Sequence, residues 1–139
     1  MQIFKLELWE GEIPHIHHLN QNEIEIIKEK LYFAFYGDTT YMCSTFYQNI
    51  STHEKVIGNT TSIDIQQLAS LCKLNIKEDE VVYLDWDNFE NLIAVSFSDF
   101  VKNINNFWYP GSDDLSIFND DATWVLTIYH HGDITYATV

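Results

Sequence analysis

The chain contains no arginine. Its cations are seven lysines set against 21 acids, which leaves a net charge of −14. Proteins that bind nucleic acid or an anionic membrane draw their affinity from basic patches, and arginine is the side chain suited to bidentate phosphate contact. That balance excludes both partner classes. Glycine is scarce, at five residues, and none falls in a phosphate-cradling loop. The two cysteines, Cys43 and Cys72, fit neither a C-x-x-C motif nor a metal-ligand spacing, so free thiols in a reducing compartment are expected. The longest apolar stretches, Leu31–Tyr36 and Leu92–Val95, are far short of the roughly 18 residues that span a bilayer. The first twenty residues show no leader pattern, so the expected location is the cytoplasm and the sequons at Asn49 and Asn59 carry no meaning. There is no G-x-S-x-G, no linker rich in Pro, Gly or Ser, and no internal repeat.

What is present is enough aromatic and aliphatic residue to build a core: 15% aromatic in a chain of 139 residues, the size of one domain. Gln2–Trp9 alternates as a strand does. Asn22, with Glu25 three positions on, caps an expected helix whose stripe is Ile24, Ile27 and Leu31, and Gly37 is placed to stop it. The stretch Tyr32–Tyr36 reads as helix or as strand, with helix favoured. Thr40–Tyr47 reads as a strand, and the segment up to Thr61 as a polar loop with a short hairpin. Asp64 opens a second expected helix. Glu80–Trp86 reads as a strand with Val82, Leu84 and Trp86 on one face, and Leu92–Val95 as a short further strand. Ser98 caps a third expected helix, with Val101, Ile104 and Trp108 facing inward. Thr123–His131 and Ile134–Thr138 form a hairpin around Gly132-Asp133, read as a type II′ turn. The expected fold is one α+β domain over residues 1–139. Its mainly antiparallel sheet has five to six strands, and about three helices pack largely on one face.

Three groups of residues have the chemistry for a site. His15, His17 and His18 cluster, and His130-His131 flank the last turn. With Asp133, the set His15, His17 and His131 has the right donors for zinc, although no ligand spacing of the H-E-x-x-H kind is present. Surface histidines are the simpler reading, and no metal or cofactor is expected. Asp113-Asp114 and Asp120-Asp121 are paired carboxylates, but neighbours on a strand point to opposite faces, so such a pair is not in itself a site. Charge distribution is the most informative of the three. Between Glu78 and Asp121 stand eleven acids and one lysine, Lys102, so this interval carries −10 of the −14. The same interval holds Trp86, Phe89, Phe107, Trp108 and Tyr109. Carboxylates steer the encounter with a basic protein, and buried aromatics anchor it. The candidate partner-binding residues are therefore Asp85, Asp87, Glu90, Asp113, Asp114, Asp120 and Asp121 for charge, with Trp108 and Tyr109 as anchors.

The stretches Asp85-Trp86-Asp87-Asn88-Phe89, Phe97–Phe100, Trp108–Asp114 and Trp124–Tyr136 resemble the small acidic immunity proteins of bacterial polymorphic-toxin systems. The resemblance runs from Asp85 to the C-terminus. It implies a protein without catalysis of its own that blocks a basic toxin, often a nuclease, by occupying its cationic cleft as a phosphate mimic. Two rival readings stand beside it. One is a metal-dependent hydrolase built on His15, His17 and His131. The other is a structural homodimer joined through the Gln2–Trp9 edge, so the chain is expected as monomer or homodimer.

Overall fold

The computed structural model describes residues 8–37, 46–50, 54–59, 76–77, 79–109, 111 and 114–139. Its strands are β1 (His17–His18), β2 (Glu54–Asn59), β3 (Val81–Asp85), β4 (Leu92–Ser96), β5 (Leu115–Asn119), β6 (Trp124–Ile128) and β7 (Asp133–Thr138). They form one sheet in the order β1-β4-β3-β5-β6-β7-β2, with every pair antiparallel. The α+β class and the antiparallel sheet are as the sequence indicates, but the sheet has seven strands rather than five or six. The strands the sequence does not mark are the edge strands β1 and β2 and the central β5, which lies between two pairs of acids. β1 is only two residues long, and β2 (Glu-Lys-Val-Ile-Gly-Asn) lacks clean alternation because its register slips between Val56 and Gly58.

The main helix, α1 (Gln21–Tyr36), carries the expected stripe Ile24, Ile27 and Leu31, and runs on through Tyr32 and Phe35 as helix. Gly37 ends it in the left-handed conformation, φ 69°, returning its N–H to the Phe33 carbonyl. The N-cap is Asn20, not Asn22. Both positions head an Asn-x-x-Glu box, but only Asn20 puts an apolar residue, Leu19, just outside the helix, where it joins the same core as Ile24. That staple selects between two otherwise equal caps. The expected third helix likewise starts two residues early. Ser96 caps α3 (Phe97–Lys102), its Oγ accepting from the Asp99 N–H at 3.1 Å, and this sends Phe97 into the core. A short α4 (Ile104–Phe107) follows, with Ile104 and Trp108 buried as expected.

Phe46–Asn49 is a single helical turn, α2, and not the end of a strand; the rest of that expected strand, 40–45, lies outside the described residues, as does the helix expected from Asp64. The turn lets Phe46 meet Tyr32, Phe35, Tyr36 and Phe89 edge-on at once, and a strand side chain would face only one side. Residues 2–7 of the expected first strand are also outside. Trp9 is not in a strand; its ring stands edge-on to Phe107 at 5.0 Å.

The helices cover both faces of the sheet, which corrects the one-face expectation. Val82, Leu84, Ile93, Leu115, Ile117, Leu126 and Ile134 meet α3 and α4 on one face. Leu92, Phe118, Val125 and Ala137 meet α1 and α2 on the other. β5 and β6 are accordingly buried at all five positions each. Alternation within these strands identifies two faces, but it does not say which face each helix covers.

The last hairpin is real, but its turn differs. The Gly132 N–H bonds the Tyr129 carbonyl at 2.8 Å, so His130 and His131 are the central pair, and neither has positive φ. Gly132 follows at φ 101°. This is a type I turn closed by a left-handed residue, not a type II′ turn. The β5–β6 turn repeats the design with Asp120-Asp121 in the centre and Ala122 at φ 56°. Among the described residues, no helix is long and apolar enough to cross a membrane.

Candidate functional site

The candidate acids fall at two ends of the sheet. Asp114 and Asp120 bracket β5, which separates them by about 20 Å of extended chain. Asp85 and Asp87 lie with Asp114 at one end, and Asp121 with Asp120 at the other. Glu90 is exposed on the β3–β4 turn, and Asp113 lies outside the described residues.

Asp85 is not a surface charge. It is 2% exposed. One carboxylate oxygen accepts the Asp87 N–H at 3.0 Å; the other accepts the Phe89 N–H at 2.9 Å and the Tyr47 hydroxyl at 2.6 Å. Trp108 is 5% exposed, packed in the core under α4, and Tyr109 is half-buried against the same core. Neither aromatic offers a free anchor, because the hydrophobic gain of burying them has already been used in folding.

The histidines do not converge. The His17 ring pairs with Glu23 at 3.1 Å at the β1 edge. His130 pairs with Asp114 at 2.9 Å and His131 with Asp133 at 3.0 Å, at the β6–β7 turn. Four strand spacings separate β1 from β6, about 19 Å, too far for one ion. Among the described residues no group of three or more metal-ligating side chains is gathered.

Two of the concave regions among the described residues have the chemistry of a site. The larger, about 540 Å³, is a groove between α1 and the β1–β4–β3 edge. Its floor is Leu19, Ile26, Ile27, Val81 and Ala94, and its rim carries Glu23, Asp99 and Asp120. Ile26 is 59% and Val81 47% exposed. Phe33, two turns along α1 from Ile26, is 65% exposed and extends the apolar line. The rim charges are held in place. The Asn20 N–H, then the His17 ring, keep the Glu23 carboxyl below the usual carboxylate range. Asp120 accepts the Tyr83 hydroxyl at 2.9 Å, and Lys30 approaches it at 3.7 Å. Burial, then that bond, raises the Tyr83 phenol to about 12, so it remains a donor. Of the acids singled out from sequence, only Asp120 lines this groove. Glu23, Ile26 and Asp99 were missed, although isoleucine and phenylalanine seven apart on a helix already carrying its buried stripe elsewhere would have marked a second apolar line.

The second region is a polar hollow of about 440 Å³ at the Asp85 end. Asp85, Asp87, Asp114, Ser116, Thr127 and Tyr129 contribute to its walls. Burial lifts the Asp85 carboxyl to about 6, and lifts the neighbouring Tyr47 phenol well above its ordinary value. Ser116 and Thr127 share one hydroxyl–hydroxyl bond at 3.1 Å. Ser116 interrupts the apolar L-S-I-F run of β5, and Thr127 the apolar W-V-L-T-I of β6, which is the sequence signal for this region.

Comparison with family models, curated proteins and solved structures gives no match to this chain.

Proposed function

We propose that this chain is a non-catalytic binding module of the immunity-protein kind, which neutralises a basic, nuclease-like protein by receiving it on the α1–β4 groove. The observation that carries the reading is the groove itself: an exposed apolar floor ringed by carboxylates on a chain of net charge −14. Protein interfaces join a desolvated apolar centre to a polar rim, and rim charge of one sign speeds the encounter with a partner of the other. Ile26, Phe33 and Val81 serve as the apolar contacts, and Glu23, Asp99 and Asp120 as the charged rim. Asp87, Glu90 and Asp114, at the far end of the sheet, add to the long-range field.

The test is association with the basic partner recovered from the native cell, measured from about 50 mM to about 500 mM salt, with Ile26→Asp and with the double variant Asp99→Lys/Asp120→Lys. Ile26→Asp is expected to raise the dissociation rate and the double variant to lower the association rate, each by about tenfold or more. Association indifferent to salt and to both variants would sink the reading.

A further inference from the structure

We propose that the polar hollow at the Asp85 end is a separate binding site for a small organic amine bearing further hydroxyl or amino groups. The argument begins with strand register. Asp85 pairs with Ser116, Ser116 with Thr127 and Thr127 with Thr135, so four directly adjacent strands place a polar side chain on one line across one face. All four are buried, at 2–6% exposure. On that same face Phe118, Val125 and Ala137 pack as ordinary core. A buried polar row in place of apolar packing is destabilising unless its hydrogen bonds are completed.

Within the described structure they are completed only in part. Asp85 is satisfied. In the Ser116–Thr127 bond one hydroxyl donates and the other accepts, which leaves the accepting hydroxyl's own proton with no acceptor, on a side chain that lines the hollow. Thr135, the last of the row, sits beside the Tyr129 phenol and does not line the hollow. A ligand in the hollow supplies the missing acceptor.

The walls state what else that ligand carries. Three carboxylates contribute to the lining, and no lysine does, so an anion is repelled. Among the described residues the Asp87 carboxylate meets no hydrogen-bond partner, and Asp114 accepts the His130 N–H at Oδ1 and leaves Oδ2 without one. An ammonium group at the mouth bonds these two, and a hydroxyl or second amine reaches Ser116 and Thr127 below. The volume, about 440 Å³, is that of a small-molecule site and fits a short polyamine or an amino sugar.

The experiment is a titration of the full chain with spermidine and with glucosamine, with glucose as the uncharged control, read by calorimetry and by amide chemical shifts in about 150 mM salt. Saturable 1:1 binding of an amine is expected, with shifts at Ser116 and Thr127 and no response to glucose. Thr127→Val and Asp87→Asn are each expected to weaken it about tenfold, while Asp99→Asn, which removes the same charge at the distant groove, leaves it unchanged. If Thr127→Val fails to fold, Asp87→Asn carries the comparison with Asp99→Asn alone. Binding that is weak and multi-site, or that falls equally with Asp87→Asn and Asp99→Asn, is general attraction to an acidic surface and overturns the proposal.

Discussion

At the scale of the residue, Asp85 organises the β3–β4 turn. Its carboxylate fastens the Asp87 and Phe89 N–H groups and receives the Tyr47 hydroxyl. Asn88 and Phe89 both have positive φ, 44° and 67°, which is costly for a phenylalanine. What holds Phe89 there is its ring, stacked on Tyr47 at 5.3 Å and buried against Phe46 and Phe118. Removing the acceptor leaves three donors unmatched, so Asp85→Ala is expected to cost about 3 kcal/mol in a urea titration. The carboxyl also sets a pH dependence. Its folded value is raised to about 6, above the unfolded aspartate value of about 3.9, so the folded state holds the proton longer. Its contribution is therefore greatest below about pH 4 and declines as pH rises to about 6, by roughly 3 kcal/mol, and is flat above. Asp85→Asn removes that slope. The difference in unfolding free energy between wild type and Asp85→Asn, followed from pH 4 to pH 7, measures it; a constant difference would show that Asp85 titrates normally.

At the scale of the element, α1 is defined at both ends by short-range chemistry. Asn20 accepts the Glu23 N–H at 2.9 Å, and Glu23 accepts the Asn20 N–H at 2.9 Å. Asn20→Ala is expected to cost about 1 kcal/mol. A Cβ at Gly37 would meet nothing within 4 Å, so Gly37→Ala pays only for the left-handed backbone, again about 1 kcal/mol. Thermal melts of both variants check these values, and a Gly37→Ala protein as stable as wild type would contradict the cap geometry. The two type I turns explain why the Asp120-Asp121 and His130-His131 pairs sit outside the core. Each pair occupies the centre of its turn, beyond the ends of the strands, and all four side chains are exposed.

At the scale of the whole molecule, charge and layering act against each other. Two helical layers bury both faces of the central strands. Meanwhile the excess acid repels itself, with one lysine–carboxylate pair, Lys30–Asp120, among the described residues. Self-repulsion of this kind is screened by salt. The melting temperature is therefore expected to rise by several degrees between about 10 mM and about 500 mM sodium chloride. A melting temperature that falls over that range would mean that attractive pairs outweigh repulsion.

The sequence by itself determines whatever is encoded over a few neighbouring residues. The α1 stripe of Ile24, Ile27 and Leu31, the stop at Gly37, the inward face of Val82, Leu84 and Trp86, and the closing hairpin are all written in local spacing. The acid excess and the absence of arginine are likewise plain without coordinates. Only the tertiary structure decided what depends on pairing between distant segments. It placed Asp85 inside rather than outside, because Tyr47 and the Phe89 turn reach it from elsewhere in the chain. It parted Asp114 from Asp120 by the length of β5, and chose Asn20 over Asn22 through the packing of Leu19. It also joined Ser116, Thr127 and Thr135 to Asp85 in one row across four strands, an alignment that none of those strands contains by itself. Side-chain alternation has period two and repeats along each strand, so it identifies faces; register, which joins one strand's face to the next, is set by contacts that no local pattern contains.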